Sequence, residues 1–170
     1  MLSSKIRINA NPRKPIALSG RHDDFYRKYA SFVAKTLQKP LFQRFVRWVL
    51  KRENIDKRLV QDIQVRVFPF QKKNGNSLAG RWRGDEGKIL IFPRSFAFCT
   101  ELAGQHGSEV TRSYLKSRAL ATLIHEILHA KYSSDEERVR RLTERYFSIY
   151  TSNPKTIEFE KVIFEKLFRK

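Results

Sequence analysis

At 170 residues, with 41% hydrophobic and 12% aromatic content, the chain suits one domain and is long enough to bury a core. A single cysteine, Cys99, excludes an internal disulfide framework and a Cys-rich zinc ribbon; no run approaches the roughly 18 apolar residues of a membrane span, and Met1 to Asn9 lack the apolar stretch of a secretory signal, so the cytoplasm is the expected location, with no membrane partner. The net charge of +18 is uneven, with 15 Lys/Arg against 4 Asp/Glu in residues 1–60, 10 against 5 in 61–124 and 10 against 8 in 125–170, which points to nucleic acid as a partner of the basic N-terminal region, although a solvated basic surface accounts for the same residues.

Residues 1–20, with Pro12, Lys14 and Pro15, read as an irregular basic arm, and residues 21–170 as one domain. Ser19 or Asp23 can cap a first helix, in which Phe25, Tyr26, Tyr29, Phe32, Val33 and Leu37 keep one apolar stripe up to Pro40. A second helix, Leu41 to Arg52, repeats the pattern with Phe42, Phe45, Val46 and Val49, a spacing that makes these aromatics core rather than base-stacking platforms. On its other side Arg44, Arg47, Lys51 and, less closely, Arg52 form a basic stripe. The period then changes. Ile63, Val65 and Val67 alternate with Gln64, Arg66 and Phe68, which predicts a strand over 63–70, and Asn74-Gly75 marks a turn. Ala79 to Arg83 reads as a second strand, Asp85 to Gly87 as a tight turn, and Lys88 to Phe92 as a third strand stopped by Pro93. Connections this short predict a small antiparallel sheet. Residues 94–107, with Gly104 and Gly107, have no clear period and read as loop with at most a helical turn.

Tyr114, Leu115, Ala119, Leu120, Leu123, Ile124, Ile127 and Leu128 then recur at helical spacing behind Ser108 or Thr111 as N-cap, which predicts a well-covered helix ending near Tyr132. Inside it, His125-Glu126-Ile127-Leu128-His129 spell HExxH. Positions i and i+4 lie one turn apart on the same face, so both imidazoles can converge on one cation. Glu126, directly after His125, reaches the edge of that face, where its carboxylate can take a proton from water rather than bind the metal. Ser134 with Glu137 three residues on reads as a capping box for a further helix carrying Val139, Leu142 and Tyr146, and Thr156 to Leu167 as a last one with Phe159, Ile163 and Phe164. The order of helices, small sheet, motif helix and helices is an α+β arrangement.

With HExxH on a helix behind two helices and a small sheet, residues 20–150 resemble the minimal single-domain zincin metallopeptidases. That resemblance implies zinc held by His125 and His129, Glu126 as general base, a protein or peptide substrate, and an edge strand, here Lys88 to Phe92, that pairs with the extended substrate. The third ligand separates the subgroups. A metzincin would have Gly where Tyr132 stands and His where Asp135 stands, and neither is present. The SprT-like group also uses a third histidine, at a position this chain fills with Asp135. In gluzincins a glutamate near the start of the following helix completes the site, and Asp135-Glu136-Glu137 opens such a helix. Glu136 is the choice, because it lies three, six and ten residues before Val139, Leu142 and Tyr146 and so shares their inward stripe; Asp135 and Glu137 are the alternatives.

Tyr132, Tyr146 and Arg140 are candidates to stabilise an oxyanion. His22 and His106 read as ordinary loop residues, and Cys99, among Phe96, Phe98 and Leu102, as a small buried hydrophobe. The leading expectation is a zinc metalloendopeptidase. One alternative is a DNA-associated protease similar to the SprT-like enzymes; another is a non-catalytic zinc-containing nucleic-acid-binding protein, although a purely structural site has no use for the Glu126 carboxylate.

Overall fold

The computed structural model describes residues 6–11, 20–71, 77–152 and 166–168. Strand β1 (Arg7–Asn11) comes first, then helices α1 (Gly20–Leu37) and α2 (Pro40–Glu53). The apolar stripe of α1 is buried at Tyr26, Tyr29, Val33 and Leu37, and that of α2 at Phe42, Val46 and Val49. Pro40 stands at the start of α2, where its missing N–H costs nothing, and Asn54 closes the helix in the left-handed conformation (φ 54°). Strands β2 (Asp62–Arg66), β3 (Phe70–Gln71), β4 (Ser77–Leu78), β5 (Gly80–Arg83) and β6 (Lys88–Ile91) follow, then helices α3 (Phe96–Tyr132) and α4 (Glu136–Thr151). Gly87 turns the chain from β5 into β6 with φ 60°, and a Cβ there would lie 2.4 Å from the Arg58 carbonyl oxygen.

The main sheet has the order β1-β2-β6-β5, and only β5 runs antiparallel to its neighbour. The sheet is therefore mixed, not antiparallel. Reading consecutive strands as neighbours misses that the segment between β2 and β6 carries three other strands, a connection long enough for a parallel crossover. Lys88–Ile91 is consequently an interior strand, and the edge beside the motif helix belongs to β5. Residues 7–11 are not part of an irregular arm either. Arg7 N donates to the Gln61 carbonyl, β1 pairs in parallel along β2, and Ile8 is buried.

Helix α1 lies against β1 and β2, α3 lies against β5 and β6, and the two helices touch each other, so both cover one face of the sheet. Two tyrosines of α1 fix the start of α3: the Arg94 amide donates to the Tyr29 hydroxyl at 3.2 Å and the Phe96 amide to the Tyr26 hydroxyl at 2.9 Å. Ser95 caps α3, accepting the Phe98 amide, and the segment read as loop is helical from Phe96 onward. Its one interruption is Gly107 (φ 85°, ψ 168°), where a residue with a side chain would be strained. His22 and His106 accordingly lie on helices, His22 against the Phe96 ring and His106 exposed, both far along the chain from the motif. Cys99 is buried, and burial pushes its thiol up to about 11, in keeping with a small apolar filler. The Asn74-Gly75 turn and nearly all of the helix expected over 156–167 lie outside the described residues. No described helix is long and apolar enough to cross a membrane.

Candidate metal centre

The motif sits in the last turns of α3, where Leu123, Ile124, Ile127 and Leu128 are fully buried and hold the helix rigidly against the sheet and α4. The chain leaves α3 through Ser133, in a positive-φ conformation (φ 47°), and enters α4 two residues later. Asp135, not Ser134, is the N-cap of α4: its carboxylate accepts the Arg138 amide at 3.1 Å. The expected capping box therefore does not form; Asp135 is engaged in capping, and Glu136 and Glu137 are both exposed. Glu136, the first residue of α4, turns its carboxylate to the motif.

Three side chains converge. His125 Nε2 and His129 Nε2 lie 3.1 Å apart, Glu136 Oε2 lies 3.5 Å from the first and Glu136 Oε1 lies 3.4 Å from the second. The contacts of the other ring nitrogens fix how the rings are turned. His129 Nδ1 meets the Ser133 carbonyl oxygen at 2.5 Å, and a carbonyl can only accept, so Nδ1 is the donor there and the ring turns Nε2 toward His125. Thr143 Oγ1 spends its one proton on the Val139 carbonyl at 2.7 Å and so faces His125 Nδ1, 3.4 Å away, as an acceptor. His125 is thereby oriented the same way, and burial, with His129 beside it, holds its pKa down at about 4. Two imidazole nitrogens and two carboxylate oxygens thus face one another. Taking one ligand atom from each of His125, His129 and Glu136, the three lie within 4.8 Å of one another, so the group could hold a metal ion, and its nitrogen and oxygen donors are of the type zinc takes.

Glu126 does not belong to this set. It is buried between the motif helix and β5, where its Oε2 accepts the Trp82 amide at 2.8 Å. Gly80 makes that approach feasible, since a Cβ there would lie 2.7 Å from Thr122 Cγ2 and 2.8 Å from Glu126 Cγ. Burial raises the Glu126 carboxyl to about 7 against the pull of His129 and the Trp82 amide, and a dication in the adjoining cluster would draw it down again. A cleft of about 1000 Å³ opens over these groups, bounded by β4, β5, α3 and the start of α4.

The structure separates the three oxyanion candidates. Tyr132 and Tyr146 both donate to the Glu53 carboxylate, Tyr132 at 2.5 Å, which leaves neither hydroxyl for the cleft. Arg140 lines the cleft beside His125. Sequence reasoning passed over Thr143, Trp82 and Glu53. Thr143 shares the inward side of α4, four residues after Val139, and Glu53 continues the stripe Phe42, Val46, Val49, so a carboxylate at an apolar position was a readable signal. Trp82 had none, because its role depends on which strand lies at the edge.

No protein-family model, curated protein or solved structure matches the chain.

Proposed function

We propose that this chain is a zinc-dependent metalloendopeptidase with a zincin-like, gluzincin-type site, working in the cytoplasm. One observation carries the reading: side-chain nitrogen and oxygen atoms of His125, His129 and Glu136 gather within 4.8 Å of one another beside a buried carboxylate, Glu126, that is held elsewhere. Zinc, when bound, supplies Lewis acidity toward a carbonyl oxygen and toward water. Glu126 holds its Oε2 on the Trp82 amide, which leaves Oε1 to take the proton of the attacking water and to return it to the departing amine as the C–N bond breaks. Arg140 is the side chain available to the developing oxyanion. Among the described residues β5 is the edge strand beside the motif helix, and its main-chain groups other than the Trp82 amide are offered to an extended peptide, the part that the resemblance assigned to Lys88–Phe92.

The test is metal content. The purified chain is expected to bind about one zinc through mixed nitrogen and oxygen ligands at about 2.0–2.2 Å, and His129→Ala to lose it. Wild-type protein that takes up no metal in mass spectrometry, even when zinc is supplied, rejects the reading.

A second feature supports attachment of such a protease to nucleic acid. Arg44, Arg47, Lys51 and Arg52 are all exposed along α2, with Trp48, 40% exposed, among them and the Arg52 guanidinium 5.3 Å from its ring. Neutralising these four to Gln is expected to weaken binding of a random oligonucleotide and to flatten its fall with salt, since each phosphate contact releases counterions. Deleting residues 1–20 would strip β1 from the sheet, so the substitutions on α2 are the clean test. Unchanged affinity and salt slope would reduce the stripe to a solvated face.

A further inference from the structure

Resting on the peptidase reading, we propose that Arg118, with Arg94 beside it, is the anchor for a substrate carboxylate, and that the cleft therefore takes acidic peptides. Arg118 is only 6% exposed and its remaining surface lines the cleft. A guanidinium offers five N–H donors, and one of them, on Nη1, goes to the Phe92 carbonyl at 2.7 Å. Arg94, two residues beyond Phe92, lies over the Phe98 ring at 4.3 Å and donates from Nε to the Tyr114 hydroxyl at 3.3 Å. Among the described residues neither arginine forms an ion pair. Burying a guanidinium without a counter-charge is costly, and stapling one carbonyl would need no more than a neutral donor.

The rest of the cleft repeats the imbalance. Its described lining carries Arg81, Arg94, Arg118, Arg140 and Lys166 against two carboxylates, Glu126 and Glu136, and both of those belong to the metal centre. Among the described residues the end marked by Arg118 therefore has positive charge and no carboxylate to neutralise it, and a planar fork is suited to a carboxylate. Position sets the reach. Arg118, Thr122, His125 and His129 follow one another at helical spacing along the face of α3 that lines the cleft. Arg118 is two turns before His125, about 10.5 Å along the axis, which an extended peptide covers in about three residues.

The experiment uses the full-length Glu126→Gln chain loaded with zinc and end-blocked fluorescent peptides, read by anisotropy. A peptide carrying Glu about three residues from its centre is expected to bind about tenfold or more tightly than its Gln counterpart, as befits hydrogen bonds to a charged group. That advantage should vanish in Arg118→Gln, shrink in Arg94→Gln and return only in part with Arg118→Lys. Should Arg118→Gln fail to fold, the Glu-against-Gln comparison and Arg94→Gln still decide. Neutral peptides with a free or an amidated C-terminus form a second arm: preference for the free acid alone assigns the carboxylate to the chain end and upholds the anchor. Equal binding of all four peptides overturns it, as does tight binding of an oligonucleotide with no preference among peptides. If the peptides discriminate but wild-type enzyme cleaves nothing, the peptidase reading fails and the anchor stands; cleavage without preference does the reverse.

Discussion

Glu126→Gln is expected to lower hydrolysis of an unfolded protein by at least about 100-fold while zinc content and thermal stability stay at wild-type level or above. The substitution keeps the volume and the carbonyl oxygen that accepts the Trp82 amide, so β5 remains seated on the motif helix. What disappears is the basic oxygen on the other side of the carboxylate. Because Glu126 is buried among Thr122, Gly80 and Trp82, replacing its charge with an amide removes a desolvation cost and does not threaten the fold. His125, His129 and Glu136 are untouched, so a variant that loses zinc would show that Glu126 helps to hold the metal. Cleavage at the wild-type rate by protein purified in the same way would assign the carboxylate to structure, or the activity to a contaminant.

The parts of this site that could be read from the chain are those a single helix places. HExxH fixes two rings on one face because α-helical spacing is local, and the stripe of Val139, Leu142 and Tyr146 singled out Glu136 before any tertiary contact was known; its carboxylate lies beside both imidazoles, although its side chain is exposed rather than turned into the core. The same logic located α1 and α2 to within a residue or two. Nonlocal order was not readable. Strand order depends on pairing between residues far apart in the chain, Asp62 with Lys88 and Arg7 with Asp62, so β6 was taken for the edge and Ile6 and Ile8, alternating with Arg7 and Asn9, were passed over as a strand within a basic arm. Gly104 and Gly107 weighed against helix in residues 94–107, yet Gly104 lies in open space on the helix surface and only Gly107 bends the chain. The cap moved from Ser134 to Asp135 for a related reason. Two adjacent polar residues offer equivalent local signals, and the choice between them is made by how Ser133 turns to reach His129. Arg118 carried a usable signal, a charge seven residues before His125 on the same helical face, but its meaning needs the cleft.

Glu53→Ala is expected to destabilise the protein by about 3 kcal/mol, the loss typical when one partner of a buried charged cluster is removed. In a chain of this size that is a fall in Tm of about 10 °C. Glu53 ends α2, and its carboxylate receives the Tyr132 hydroxyl at 2.5 Å and the Tyr146 hydroxyl, while Lys131 Nζ reaches the same residue's carbonyl at 2.6 Å. Three helices are therefore joined at one carboxylate: α2 through Glu53 itself, α3 three residues beyond His129, and α4 ten residues beyond Glu136. Loosening this junction lets the His and Glu ligands drift apart, so zinc affinity, measured by competition with a chelator, should fall together with stability. The pH dependence has a definite sign. Burial works against the charge on Glu53, but the two tyrosine hydroxyls and the Lys131 ammonium outweigh it and hold the carboxyl below its ordinary value. A group lowered in the folded state contributes fully above its unfolded pKa, about 4.3 for glutamate, and loses that contribution as pH falls through the lower folded value. The stability difference between wild type and Glu53→Gln, taken from urea unfolding, should thus be constant from neutral pH down to about 5 and narrow in stronger acid. A difference that stays the same into strong acid, or zinc affinity unchanged in Glu53→Ala despite the lost stability, would mean that the carboxylate neither carries its charge in the fold nor positions the metal ligands.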